Sequence, residues 1–298
     1  MNILKRLLFL LMLTMVLSQT SGQEIIELYD NEKEDLEVVE NQSLDIESSD
    51  GLIRKVIYPS IEMYLPEGNN TLWPAIIICP GGGYSVIVYQ GEGITTAKKL
   101  AANGVVAFVL KYRLPDPSSD DSTIIPLQDA QKAMKIVREN ASKWNIDPEK
   151  IGIMGFSAGG HLASTLATHY DPVIDNVEQT NLRPDFQILV YPVISMSDSL
   201  THMGSRTQLL GENPGFDKII QYSSELQVTK DTPQAYITHA ADDVVVDVDN
   251  SISYFEQLRY HQVPVEMHIY PKGNHGFVFQ HDSWIDPLFQ WMKDSEIL

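Results

Sequence analysis

The sequence predicts an α/β fold in which a mostly parallel central sheet is covered by helices on both faces. Two patterns carry that prediction. Short apolar runs of strand length recur along the chain, and segments with apolar residues every three or four positions lie between them. No internal repeat breaks the series, and the roughly 250 residues from Gly51 onward suffice for one large domain with a sizeable core.

The first 22 residues stand apart. Lys5 and Arg6 precede an almost continuous apolar run from Leu7 to Leu17, which small and polar residues follow as far as Gly22. That order describes a secretory signal peptide, and the run falls short of the roughly 20 residues a membrane span needs. Export, to the periplasm or outside the cell, is therefore expected, without stable membrane insertion after cleavage. The single cysteine, Cys79, is far from this segment and offers neither a lipid attachment point nor an internal disulfide. Its place in an apolar run marks it as a buried small hydrophobe.

Between Glu24 and Asp50 eleven acidic residues stand against Lys33 alone. Residues 23–50 therefore read as a solvated or partly ordered lead-in to a domain spanning 51–298. The net charge of −19 makes nucleic acid a poor partner, because its phosphates would repel the chain.

Within the domain, Ala75–Cys79, Val105–Leu110 and Ile151–Met154 are the clearest strands, and Phe186–Tyr191, Ala235–His239 and Val265–Tyr270 look similar. The clearest helix is Pro126–Trp144, with Leu127, Ala130, Met134, Val137 and Ala141 on one face. Pro126 suits its first turn, and Asn145, Asp147 and Pro148 end it. The segment Ser195–Asp231 is rich in Ser, Thr, Gly and Asn, and falls between two late strands. Its position suggests a small polar lid over the carboxyl edge of the sheet, where open α/β sheets bind ligands. An ordinary surface insertion is the plainer reading.

Gly155-Phe156-Ser157-Ala158-Gly159 follows the strand Ile151–Met154 and opens onto a helix-like stretch. In that setting G-x-S-x-G is a nucleophile elbow, a turn so sharp that glycines must flank the serine. A free hydroxyl is a weak nucleophile, so it needs a base and a group to orient the base. The order Ser, Asp, His expected of an α/β-hydrolase fold is met by Ser157, Asp243 and His275. Asp243 is the preferred acid; Asp242 competes for that role, and its plainer reading is a turn or helix-capping carboxylate. His161, His169, His202, His239, His261, His268 and His281 are read as structural. No H-E-x-x-H spacing or cysteine partner suggests a zinc site. Pro80-Gly81-Gly82-Gly83-Tyr84 follows an early strand, so the N–H groups of Gly82 or Gly83, with that of Ala158, are the expected oxyanion donors.

The glycine loop, the elbow with its continuation Gly160-His161-Leu162-Ala163-Ser164, the Asp243 loop and Asn274-His275-Gly276-Phe277 together resemble the bacterial acetyl esterases of the α/β-hydrolase superfamily. The nearest branch is that of xylan or carbohydrate acetyl esterases, beside the dienelactone-hydrolase-like and hormone-sensitive-lipase-like groups. The resemblance spans roughly Ile53–Phe289 and implies a Ser-His-Asp triad, no cofactor, and a small-molecule or oligosaccharide ester as substrate. Ser205-Arg206 to Leu209-Leu210-Gly211 resembles the lid-side segment of the same branch. Pro80 departs from the lipase-like pattern, in which a His precedes the glycines, so a brace for the loop from that side chain is missing. Tyr84 is a candidate substrate-binding residue, with packing beneath the loop as its other reading. A general carboxylesterase or lipase remains an alternative, as does a serine peptidase of the prolyl-oligopeptidase type. Those peptidases usually carry a large β-propeller where this chain has only residues 1–50. An idle binding protein is the third reading, disfavoured because every triad and oxyanion element is present.

Overall fold

Ile76, Ile77 and Ile78 are wholly buried, and so are their neighbours Ala75 and Cys79. They belong to a strand at the centre of the sheet, whose two faces must both be covered to bury such a continuous run. The computed structural model describes residues 24–29, 49–68, 72–116, 118 and 120–298. The signal-peptide segment and residues 30–48 of the acidic lead-in lie outside the described residues. Among those described, the strands are β1 (Glu24–Glu27), β2 (Ser60–Tyr64), β3 (Trp73–Cys79), β4 (Val106–Lys111), β5 (Ile146–Phe156), β6 (Phe186–Val190), β7 (Gln234–Ala240) and β8 (Val265–Tyr270). They form one sheet in the order β1-β2-β4-β3-β5-β6-β7-β8. From β4 to β8 all neighbours are parallel, whereas β2 pairs antiparallel with both β1 and β4.

The helices are α1 (Thr95–Ala102), α2 (Ile125–Glu139), α3 (Ser157–Thr168), α4 (Met203–Leu210), α5 (Phe216–Gln221), α6 (Asp249–Tyr260) and α7 (Asp286–Asp294). The predicted helix over 126–144 is α2, which stops at Glu139. Asn140 ends it, its N–H reaching back to Ile136 O, and residues up to Asn145 continue as turns. No helix of the described residues is long and apolar enough to cross a membrane.

The structure corrects the reading of the lead-in. Glu24–Glu27 pairs with β2 as an edge strand, and Leu28 behind it is only 1% exposed. Glu24 and Glu27 face solvent on opposite faces of this edge strand, and the apolar contribution that their charges concealed comes from Ile26, packed against the core, and from Leu28. Tyr29 extends the attachment by donating its hydroxyl to the buried Asp129, which also receives Arg113.

The order of the strands creates a switch point. After β3 the chain adds β4 on one side, then crosses to place β5 on the other. Such a reversal opens a crevice at the carboxyl ends of the two strands, where ligands bind in folds of this kind. Cys79 is in register with Gly155 there, so the loops leaving β3 and β5 begin side by side.

Candidate active site

The elbow is a tight turn at the edge of this crevice. Ser157 follows extended Phe156 and has a left-handed φ of 51°. Such a conformation is uncommon for a side-chain-bearing residue and is held only by its surroundings. Those surroundings admit no side chain on either flank. A Cβ on Gly155 would lie 2.0 Å from Gly159 O, and one on Gly159 would lie 2.1 Å from Cys79 O. The glycines therefore let α3 start directly against β5 and the end of β3, which lifts Ser157 into the crevice.

Ser157 Oγ lies 2.9 Å from His275 Nε2, and His275 Nδ1 lies 2.7 Å from Asp243 Oδ2. The last residues of β7 and β8, Ala240 and Tyr270, are in register, so the loops bearing Asp243 and His275 leave the sheet together. Asp242 does not reach the imidazole. Its Oδ1 accepts the N–H of Asn274 at 2.7 Å and so pins the loop that carries His275. Asp243 Oδ1 accepts the N–H groups of Val245 and Val246. Burial acts against its charge, but hydrogen bonds from His239, His275 and Val246 outweigh it and hold the carboxyl well below the usual carboxylate range. A carboxylate can only accept, so His275 carries its proton on Nδ1 and leaves Nε2 to accept from the Ser157 hydroxyl.

The glycine loop has a clear polarity. The carbonyls of Pro80, Gly81 and Gly82 accept from Tyr112 Oη–H, Val88 N–H and the N–H groups of Ser85 and Val86. Gly81 N–H is taken by Glu92. For Gly82 and Gly83 no intramolecular acceptor of the N–H is found among the described residues, and Ala158 lies in the first turn of α3, where N–H groups lack helical partners. Tyr84 N–H has no acceptor among the described residues either, so the open N–H groups include the expected donors without singling them out.

Tyr84 is a correction. It is 1% exposed, and its hydroxyl donates to His161 Nδ1 at 2.8 Å, while His161 Nε2–H donates to Tyr222 O at 2.7 Å. The ring is packed against Tyr112 and His161 and is closed to solvent. Burial pushes His161 down to about 4, so it stays neutral as a structural connector.

Sequence reasoning missed three residues here. His239, taken as a plain strand residue, places Nε2 3.1 Å from Asp243 Oδ2. Glu92 is buried against the glycine loop; a lone acid in the apolar, glycine-rich stretch before α1 was the available signal. His202, at the start of α4, is held below its ordinary value by burial and by the nearby His275. Its Nδ1 accepts from Ser205 N–H, and Ser205 Oγ lies 4.0 Å from where a Cβ on Gly83 would stand. The lid-side segment noted in the sequence therefore abuts the glycine loop.

A model of the BD-FAE family matches residues 61–258. The chain belongs to the BD-FAE family. The match takes in the glycine loop, the elbow and Asp243, while His275 lies beyond it. Among curated relatives of this BD-FAE chain, the acetylxylan esterase of Xylanibacter ruminicola is 40% identical over 239 residues, covering 77% of this chain and 47% of that protein. Endo-1,4-beta-xylanase B of Butyrivibrio fibrisolvens is 37% identical over 229 residues, covering 76% and 36%. The chain thus spans less than half the length of either. Among solved structures, the acetyl ester-xyloside bifunctional hydrolase of Caldicellulosiruptor lactoaceticus superimposes with a TM-score of 0.79 at 34% identity, covering 94% of this chain and 99% of the other. The fold of this BD-FAE member is accordingly the α/β-hydrolase fold.

Proposed function

We propose that this chain is a carbohydrate esterase that removes short acyl groups, chiefly acetyl, from xylan-type oligosaccharides by way of an acyl-enzyme on Ser157. The observation that carries the reading is the unbroken relay from Ser157 Oγ through His275 to Asp243, at 2.9 and 2.7 Å. In the proposed reaction Oγ bonds to the ester carbonyl carbon as its proton passes to His275 Nε2. Negative charge collects on the carbonyl oxygen, which the N–H groups of Gly82, Gly83 and Ala158 receive. Collapse breaks the bond to the sugar oxygen, which takes the proton from His275 and leaves. Water then attacks the acyl-serine, gives a proton to His275, and releases the carboxylic acid as the proton returns to Oγ. Asp243 supports the imidazolium at both stages. The proposal includes export: the N-terminal residues, read as a signal peptide, would direct this activity outside the cytoplasm.

The test compares kcat/KM for p-nitrophenyl acetate, butyrate and octanoate with acetate release from acetylated xylo-oligosaccharides and cleavage of an Ala-Pro anilide. Acetate should lead the aryl series in a graded way, since each methylene changes binding by about 1–3 kcal/mol. Acetylated oligosaccharides should release acetate, and the anilide should resist. Fast octanoate turnover would mark a lipase, and anilide cleavage a peptidase. Rapid aryl acetate hydrolysis with no release from the sugars would remove the carbohydrate assignment alone.

A further inference from the structure

An oxyanion loop built on three consecutive glycines has much backbone freedom to lose, and its N–H groups are useful only if that freedom is already spent when charge develops. The sequence offers no histidine ahead of these glycines to hold them. Glu92 stands where that brace is missing. It lies on a π-helical turn, Tyr89–Ile94, that leads into α1, and only 4% of it is exposed. Its Oε2 accepts Gly81 N–H at 2.6 Å, and its Oε1 accepts the hydroxyl of Tyr191 at 2.9 Å. Gly81 itself runs against the elbow, since a Cβ there would come within 2.8 Å of Ser157 Cβ. Tyr191 lies on the other side of the site, with its ring centroid 4.7 Å from that of His275. One buried carboxyl group thus joins the loop expected to carry the oxyanion donors to the ring that supports the expected base.

We propose that Glu92 is a positioning residue for ester hydrolysis, fixing the glycine loop and the His275 ring in one arrangement through Gly81 and Tyr191. This rests on the reading of Ser157 as nucleophile. Glu92 need not touch the substrate, because its acceptors are occupied by the protein. Its contribution is to the geometry in which the tetrahedral intermediate forms, and so to kcat more than to KM.

The experiment compares Glu92→Gln and Glu92→Met with the wild type on p-nitrophenyl acetate, with melting temperatures taken in parallel. Gln can still accept Gly81 N–H while its amide faces Tyr191, whereas Met has the length and neither bond. Glu92→Met should lose about 10- to 100-fold in kcat with KM nearly unchanged, somewhat less than deletion of an oxyanion donor. Its rate of labelling by a fluorophosphonate should fall in proportion, and Glu92→Gln should recover most of both. A folded Glu92→Met protein with wild-type kcat would overturn the proposal, as would equal losses in the Gln and Met proteins. Should Glu92→Met not fold, Tyr191→Phe, which removes the hydroxyl that Glu92 Oε1 accepts, makes the same test: kcat should fall by about tenfold with KM nearly unchanged, and a folded Tyr191→Phe protein with wild-type kcat would overturn the link. The underlying reading is tested separately: mass mapping of the labelled wild type must find Ser157, and labelling elsewhere would fell that reading irrespective of Glu92.

Discussion

His239 Nε2 lies 3.1 Å from Asp243 Oδ2, the carboxylate oxygen that also meets His275 Nδ1 at 2.7 Å. Asp243 therefore sits between two imidazoles, one open to the crevice and one wholly buried. The buried ring is oriented by its other contacts, because its Nδ1 meets Ser251 Oγ at 2.8 Å and its Nε2 also meets Val246 O at 3.0 Å. With Ser251 Oγ–H donating to Nδ1, the proton rests on Nε2 and is shared between Asp243 and Val246 O. Replacing His239 with Leu should leave those acceptors short of a donor. We expect a stability loss of about 1–3 kcal/mol by urea unfolding, and a fall in kcat of about tenfold, far smaller than the roughly 10⁴-fold expected for Asp243→Asn. A His239→Leu protein as impaired as Asp243→Asn would mean that His239 does more than orient.

Ser157→Ala removes the proposed nucleophile from a group that acts as one unit, so kcat should fall by about 10⁴ or more. Its fold should hold, because the φ of 51° is imposed by the flanking glycines and not by the hydroxyl. Residual activity within tenfold of wild type, measured on p-nitrophenyl acetate, would require another nucleophile.

Tyr84→Phe separates packing from recognition. The hydroxyl is buried and donates to His161 Nδ1, which has Tyr222 O on its other side. Its loss should cost about 1–2 kcal/mol of stability, the price of a buried acceptor without a partner. KM for small acyl esters should stay where it is. A selective rise in KM at unchanged melting temperature would return Tyr84 to the substrate pocket.

The parallel core was legible because its strands are buried on both faces and so announce themselves as continuous apolar runs. Ala75–Cys79 and Phe186–Val190 are examples. The antiparallel side was not. In Ser60–Tyr64 the run is broken by Glu62, whose buried carboxyl group accepts the hydroxyl of Tyr64, two residues on in the same strand, and that of Tyr89 from a separate segment. The elbow could be read because its motif is complete within five residues, although only Gly155 is confined locally, by Gly159 O, whereas Gly159 is confined by Cys79 O at the end of β3. His239 and Glu92 could not be placed, since each acquires its role from contacts made by separate loops. Nor did composition reveal how the segment 195–231 is built. Ser195, Ser205, Ser223 and Ser224 are buried, and Ser164 Oγ–H donates to Ser224 Oγ, so part of that polar segment serves internal bonding and not a ligand.

The pH dependence of stability offers a last test, because two buried groups at this site pull in opposite directions. Burial pushes Glu92 up to about 7, against hydrogen bonds from Gly81 and Tyr191 and the attraction of His275 that favour its charge. An unfolded Glu titrates near about 4.5, so between there and about 7 the folded protein holds the extra proton. This group's contribution is therefore full below the lower value and is lost as pH rises through the higher one. His161 behaves oppositely. Depressed to about 4 by burial, it is neutral when folded and charged when unfolded below about 6.5, so its contribution is present at higher pH and is lost on acidification. Across pH 4.5–6.5 the two slopes offset each other, each approaching about 1.4 kcal/mol per pH unit at most. Glu92→Gln removes one of them. Urea midpoints measured from pH 4.5 to 7 should show the stability of the wild type relative to Glu92→Gln falling as pH rises, while the variant's own stability climbs more steeply from pH 4.5 to 6.5. A difference between the two proteins that stays constant over this range would mean that Glu92 titrates as it does in water, and that burial in the folded protein does not hold its proton.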